Sequence, residues 1–328
     1  MNTIDDIRLL VGGEWQDFCR VFQQTVSDSD NELLRDVADH LLLRQGKQLR
    51  PLLVLLCAKL CGGVNEKTIL TASAMEMLHT ASLVHDDVVD NSPLRRGLPS
   101  VQARWTNKVA VLSGDYLLAK AIETTARIRN QKVLNIVANM CEELASGELL
   151  QLHLKTGMWI SEKDYYKMIG QKTAALFAAC THAGAVSAGA SSRQETALRT
   201  YGRELGMVFQ MKDDLLDWFE TEDLGKPTMS DIRDGKATLA LLVSLQRAPK
   251  HEADEIRRLA ESLNGAEPNT ETEQALTSFV LRYDGIGYVR QQMELRKRRA
   301  IEALSVFHDS SVKAALIRIL EFTISRVA

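Results

Sequence analysis

The sequence predicts an all-α protein, and three observations carry that prediction. Only six prolines occur in 328 residues, and none lies between positions 100 and 226, so nothing in that stretch forces a helix to end. Ala, Leu, Met, Glu, Lys and Gln, all good helix formers, dominate the chain. Apolar residues recur at three- and four-residue spacing, and no segment sustains the alternation of a half-buried strand.

In chain order, the spacing predicts helices over 70–89, 109–128, 133–152, 165–186 and 197–219. Helices of ordinary length would number about a dozen over the whole chain. Pro51, Pro93 and Pro99 fall where fixed proline φ is tolerated, beside helix starts or in loops. Residues 248–273 are somewhat more polar, but no Gly/Ser/Pro-rich linker or short repeat interrupts the pattern, so a single domain over 1–328 is expected and a solenoid is excluded.

A hydrophobic content of 45% is ample for a buried core, and 40 Lys plus Arg against 43 Asp plus Glu leaves no basic surplus for nucleic acid. The longest apolar run, 52–58, is far shorter than the roughly 20 residues needed to cross a bilayer. The first residues, Met1-Asn2-Thr3-Ile4-Asp5-Asp6, lack the basic and then apolar pattern of a secretory signal, so a soluble, cytoplasmic protein is expected. Cys19, Cys57, Cys61, Cys141 and Cys180 are odd in number and form no C-x-x-C pair, the pattern of reduced core thiols.

Two acidic triplets carry the chemistry. Asp86, Asp87 and Asp90 crowd the C-terminal turn of a predicted helix, where the helix dipole disfavours each carboxylate by about 0.3–1 kcal/mol before mutual repulsion. A cation should compensate them. Asp86 and Asp90 share one helical face, and Asp213, Asp214 and Asp217 repeat the spacing. All-carboxylate donors favour magnesium over zinc.

Basic residues cluster around the triplets: Lys47 and Arg50, Arg95 and Arg96, Lys226 and Lys236. A magnesium–carboxylate site alone would not need them, whereas diphosphate groups would. The Gly-Lys pairs at 225–226 and 235–236 are not P-loops, because Glu220 and Ser230 stand where the first glycine is required.

With these residues in order, the sequence resembles the trans-isoprenyl diphosphate synthases, of the long-chain polyprenyl type. The resemblance spans nearly the whole chain. It rests on Gly46-Lys47-x-x-Arg50-Pro51, Glu76-Met77-Leu78-His79-Thr80, His85-Asp86-Asp87-x-x-Asp90 with Arg95-Arg96-Gly97, Gly114-Asp115, and Gly147-Glu148-x-x-Gln151. It continues through Lys172-Thr173-Ala174-x-Leu176-Phe177, Gly206-x-x-Phe209-Gln210-x-x-Asp213-Asp214-x-x-Asp217 and the two Gly-Lys pairs.

The resemblance implies antiparallel helices around a central cavity, the Asp-rich helices facing each other across its mouth, and a homodimer. It implies three magnesium ions per site, with Asp86, Asp90 and Asp213 as direct ligands and Asp87, Asp214 and Asp217 supporting. Arg95, Lys172, Thr173, Gln210, Lys226 and Lys236 would meet the allylic diphosphate, farnesyl or similar, or the developing cation. Lys47, Arg50, His79 and Arg96 would hold isopentenyl diphosphate. Asp86, Asp90, Asp213, Lys172 and Thr173 would then be the catalytic set.

The implied reaction adds successive isopentenyl units to an allylic diphosphate and gives an all-trans product. No nucleophile motif is needed, because the substrate carries its own leaving group. Ala81 and Ser82, small residues just before the first triplet, open the path of the growing chain, so a product of about thirty to forty-five carbons is expected, a quinone side-chain precursor. Peripheral membrane contact would release so apolar a product. Gln48 departs from the family pattern, which has Arg there, and Lys212 before the second triplet is unusual. The alternatives are a medium-chain (geranylgeranyl) synthase, a non-catalytic regulatory subunit, an HD-type phosphohydrolase suggested by His85-Asp86, and a terpene cyclase. The last three fit less well, because both triplets are intact, the phosphohydrolase leaves Asp213 unexplained, and Lys47, Arg50 and His79 favour condensation.

Overall fold

A computed structural model of the chain describes residues 4–43, 45–155, 159–219, 229–265 and 269–326. The first helices are α1 (Ile4–Arg8), α2 (Gly12–Ser27), α3 (Glu32–Leu43), α4 (Leu49–Cys61) and α5 (Glu66–Val89). A two-residue hairpin, β1 (Leu94–Arg95) and β2 (Leu98–Pro99), precedes α6 (Val101–Arg104), α7 (Asn107–Arg127) and α8 (Gln131–Lys155). Then come α9 (Glu162–Ile169), α10 (Ala175–Ser187), α11 (Ser192–Leu216), α12 (Ser230–Arg233), α13 (Leu239–Arg247) and α14 (Lys250–Leu263). The last are α15 (Thr270–Arg282), α16 (Gly285–Ala303) and α17 (Ser311–Ser325). The expected all-α class holds, and the hairpin is the only strand pairing among the described residues.

The chain forms two compact units, one drawn from 1–139, 179–199 and 306–316, the other from 140–178, 200–305 and 317–328. In the first unit α5 is central, packing against α7, α4 and α2. Asn65 starts α5 with a capping box, accepting from Thr68 N at 3.1 Å while Thr68 Oγ1 accepts from Asn65 N. The apolar run 52–58 lies in α4 and is fully buried, as a helix apolar on all sides must be in a water-soluble core. In the second unit α13 packs against α16, and α14 against α15.

Among the described residues no helix is long and apolar enough to cross a membrane. The five cysteines are all free, Cys57 and Cys180 buried and the others half-buried. Burial pushes the Cys61 and Cys180 thiols up to about 12, which keeps them protonated and inert.

The predicted helix over 165–186 is interrupted: a π-helical turn, Gly170–Ala174, separates α9 from α10. A period-3.6 reading cannot register one widened turn, because the apolar positions on both sides stay in phase with buried faces. The helix predicted to reach 219 stops at Leu216, so Asp217 lies just beyond α11.

Candidate active site

In the first unit the leading triplet divides by burial: Asp87 is 3% exposed, Asp86 is half-buried and Asp90 is exposed. Arg95 donates to Asp87 Oδ1 through Nε at 2.9 Å and also through a terminal guanidinium nitrogen. The hairpin makes this reach possible. Arg96 (φ 54°) and Gly97 (φ 75°) both have positive φ, as a two-residue hairpin turn with right-handed strand twist requires, and the reversal carries Arg95 back over the end of α5. Gln102 Nε2 donates to the main-chain oxygens of Asp87 and Ser92, at 2.5 and 3.0 Å, and so fastens the turn that follows α5. His85 lies against α7, its Nε2 3.1 Å from Val111 O, where a Cβ on Gly114 would come within 2.2 Å of the ring.

His79, two helical turns before Asp86, is 8% exposed. Burial first, then Arg50, Arg96 and Arg95, hold its pKa well below the usual histidine value, so the imidazole is neutral. Lys47 is exposed, and its carbonyl accepts from the Arg8 guanidinium. Gln48, the departure from the family pattern, takes left-handed backbone (φ 44°) and donates to Gln45 Oε1 at 2.7 Å. Ala81 is buried, and Ser82 donates to His79 O at 2.9 Å.

The second unit holds a continuous polar chain. Tyr165 donates to Asp214 Oδ2 at 2.6 Å, Gln210 Nε2 donates to Asp214 Oδ1 at 2.8 Å, and Thr173 donates to Gln210 Oε1 at 2.7 Å. Thr173 and Lys172 ride on the π turn, which Gly147 and Gly206 admit: a Cβ on Gly147 would lie 2.6 Å from Lys172 N, and one on Gly206 2.5 Å from Ala174 Cα. Lys172 pairs with Glu148 at 2.8 Å. Burial raises the Asp214 pKa, the Tyr165 and Gln210 hydrogen bonds oppose that rise, and the neighbouring Asp213 and Asp217 add to it.

Asp217 accepts from Ser230 N and Oγ at 3.0 and 2.5 Å and from Asp231 N at 2.9 Å, so both oxygens tether the chain at the start of α12. Lys236 pairs with Asp234 at 3.1 Å. Lys226 lies outside the described residues.

Asp213 carries a guanidinium: Arg326 donates to its Oδ1 at 2.5 Å and to Phe209 O at 3.0 Å, and stacks 4.3 Å from the Phe209 ring centroid. A positive group thus stands at the carboxylate where a metal ion is expected, which fits a site built for cations. Among the described residues no three His, Cys, Asp or Glu side chains gather as a metal cage. Magnesium needs none, since one or two carboxylates and substrate phosphates complete its shell. The carboxylate donors therefore fit this ion.

Sequence reasoning missed Tyr165, Glu148, Arg326 and Asp231. Burial first, then Asp214 and Asp217, raise the Asp231 pKa. Glu148 had a signal in its Gly147-Glu148-x-x-Gln151 motif, but Tyr165 is 49 residues from its partner and had none.

Residues 31–278 match the family model for polyprenyl synthetase. The chain is 36% identical over 311 residues to a short chain isoprenyl diphosphate synthase of Methanothermobacter thermautotrophicus, covering 93% of this chain and 94% of that one. It is 33% identical to an octaprenyl diphosphate synthase of Haemophilus influenzae, covering 99% and 98%. Among solved structures, a Caulobacter crescentus polyprenyl synthase complexed with calcium and isoprenyl diphosphate superposes with a TM-score of 0.90 at 35% identity, covering 100% and 99%. The chain belongs to the polyprenyl synthetase family, the trans-isoprenyl diphosphate synthases. It is an enzyme, a trans-prenyltransferase.

Proposed function

We propose that the enzyme condenses an allylic diphosphate such as farnesyl diphosphate with successive isopentenyl diphosphate units, in a magnesium-dependent reaction, to give an all-trans product of about thirty to forty-five carbons. One observation carries the reading. The aspartates divide by burial, Asp87 and Asp214 being buried and held by Arg95, Tyr165 and Gln210, while Asp90 is exposed and Asp86 and Asp213 are half-buried. The buried carboxylates hold the triplets in shape, and Asp86, Asp90 and Asp213 are the metal ligands.

Magnesium, three ions in the proposed site, supplies Lewis-acid stabilisation of charge on the departing diphosphate. Lys172 is steered by Glu148 and adds positive charge, with Arg95, Lys226 and Lys236, toward the allylic diphosphate. Thr173 and Gln210 present fixed dipoles toward the developing cation without a nucleophile that would trap it. Lys47, Arg50, Arg96 and neutral His79 hold isopentenyl diphosphate. The small side chain of Ala81, just before the first triplet, supports a long product, a quinone side-chain precursor.

The relatives' names range from short-chain to octaprenyl and nonaprenyl, so similarity does not decide length. The two units act as one catalytic domain over 1–328 in this reading, in the cytoplasm, with peripheral membrane contact at product release. A homodimer is favoured by α7, where Val111, Leu112 and Ile122 are exposed on one face.

The test is incubation of purified protein with magnesium, labelled isopentenyl diphosphate and farnesyl diphosphate, followed by product sizing, with a chelator control. Chelator-sensitive chains of thirty to forty-five carbons are expected. A twenty-carbon product would move the reading to a medium-chain synthase, and no incorporation would remove it.

A further inference from the structure

Glu76 lies on α5, ten residues before Asp86, and is 5% exposed. It shares one face of the helix with Thr80, Leu83 and Asp87, and this face walls a small cavity of ≈ 60 Å³ that Arg95 and Arg96 also line. A fully buried carboxylate costs several kcal/mol unless cations and donors compensate it. Asp87 has Arg95. Burial raises the Glu76 pKa, and the two charges that oppose this are Arg50 and Arg96.

The approach of Arg96 is built into the backbone twice. Its own φ of 54° is the left-handed conformation that a non-glycine residue adopts at a cost. The guanidinium also rests against bare backbone at Gly46, where an added Cβ would lie 2.8 Å from the Arg96 Cζ. Glu76 Oε2 makes no hydrogen bond, so the carboxylate is not held by neutral donors on both oxygens.

We propose that Glu76 is a positioning residue for the homoallylic diphosphate: its buried carboxylate, on the wall of the cavity that Arg96 also lines, is the counter-charge that keeps Arg96 in place, and so sets where that diphosphate is received. The inference rests on the proposed function and adds a residue to it. Without the charge Arg96, on an exposed turn, swings into solvent.

The experiment is steady-state kinetics on the full chain with magnesium, varying isopentenyl diphosphate at saturating allylic diphosphate and then the reverse. Glu76→Gln is expected to raise KM for isopentenyl diphosphate about tenfold and leave KM for the allylic diphosphate within about twofold, while Glu76→Asp restores part of the loss. Circular dichroism and thermal melts check that each variant folds. Should Glu76→Gln not fold, Glu76→Asp decides, with about a threefold rise confined to the isopentenyl KM. An unchanged isopentenyl KM, or equal rises for both substrates, would overturn the inference. Wild-type protein that incorporates no isopentenyl diphosphate would instead overturn the proposed function.

Discussion

The Tyr165 hydroxyl donates to Asp214 Oδ2 at 2.6 Å, and both groups are buried. The bond joins α9 to the end of α11 and fixes the one buried carboxylate of the second triplet. Removing the donor while keeping the ring isolates its contribution. Tyr165→Phe is expected to cost about 1.5–3 kcal/mol in denaturant unfolding, the range for a hydrogen bond to a charged group, and to lower kcat. A loss below about 0.5 kcal/mol would show that Gln210 suffices to hold Asp214.

Gly206 lets α11 close on the π turn, where an added Cβ would lie 2.5 Å from Ala174 Cα, a backbone atom that cannot step aside. Gly206→Ala should cost about 1–3 kcal/mol or more and displace Lys172 and Thr173, lowering kcat more than tenfold. Gly13 in α2 is the control, because its Cβ would meet nothing within 4 Å. Gly13→Ala should be neutral or stabilising by up to about 1 kcal/mol. Equal losses at both positions would argue against the close-approach explanation.

His79 should make stability fall on the acid side. Its folded pKa lies well below the ordinary 6.5, so as pH falls through about 6.5 the unfolded state takes up a proton that the folded state refuses. Folding stability then declines by up to about 1.4 kcal/mol per pH unit until the folded pKa is reached. His79→Gln should flatten this decline between about pH 6.5 and 5. His182 is shifted in the same direction and is present in both proteins, so the difference between the two curves isolates His79. Parallel curves would mean that another group carries the effect.

Ala81 is 3% exposed at the start of the proposed chain path. Ala81→Phe should shorten the product by several isoprene units, read by product sizing under the conditions above. An unchanged product length would show that the growing chain takes another route.

Much of the site is legible in the sequence, because its signals are local. Asp86, Asp87 and Asp90 fall at the end of a helix where carboxylates are electrostatically misplaced, and that needs only residue spacing to see. The role expected of Ala81 and Ser82 came instead from the family resemblance. The hydrogen bonds of Asp217 are not legible in this way, because they run to Ser230 and Asp231, 13 and 14 residues further along the chain. The π turn under Lys172 and Thr173 leaves no such trace, because one extra residue in a turn barely perturbs apolar periodicity.

The sequence by itself determined the helical class and raised the expectation of metal chemistry at the two triplets, since periodicity, charge and spacing act over a few turns of one helix. Tertiary structure alone decided which partner each charged group has. Asp87 is held by Arg95, Asp214 by Tyr165, Asp213 by Arg326, and Glu76 lies within the field of Arg50 and Arg96. Those assignments depend on which surfaces of separate helices come together and exclude water, and burial, unlike spacing, is a property of the packed chain.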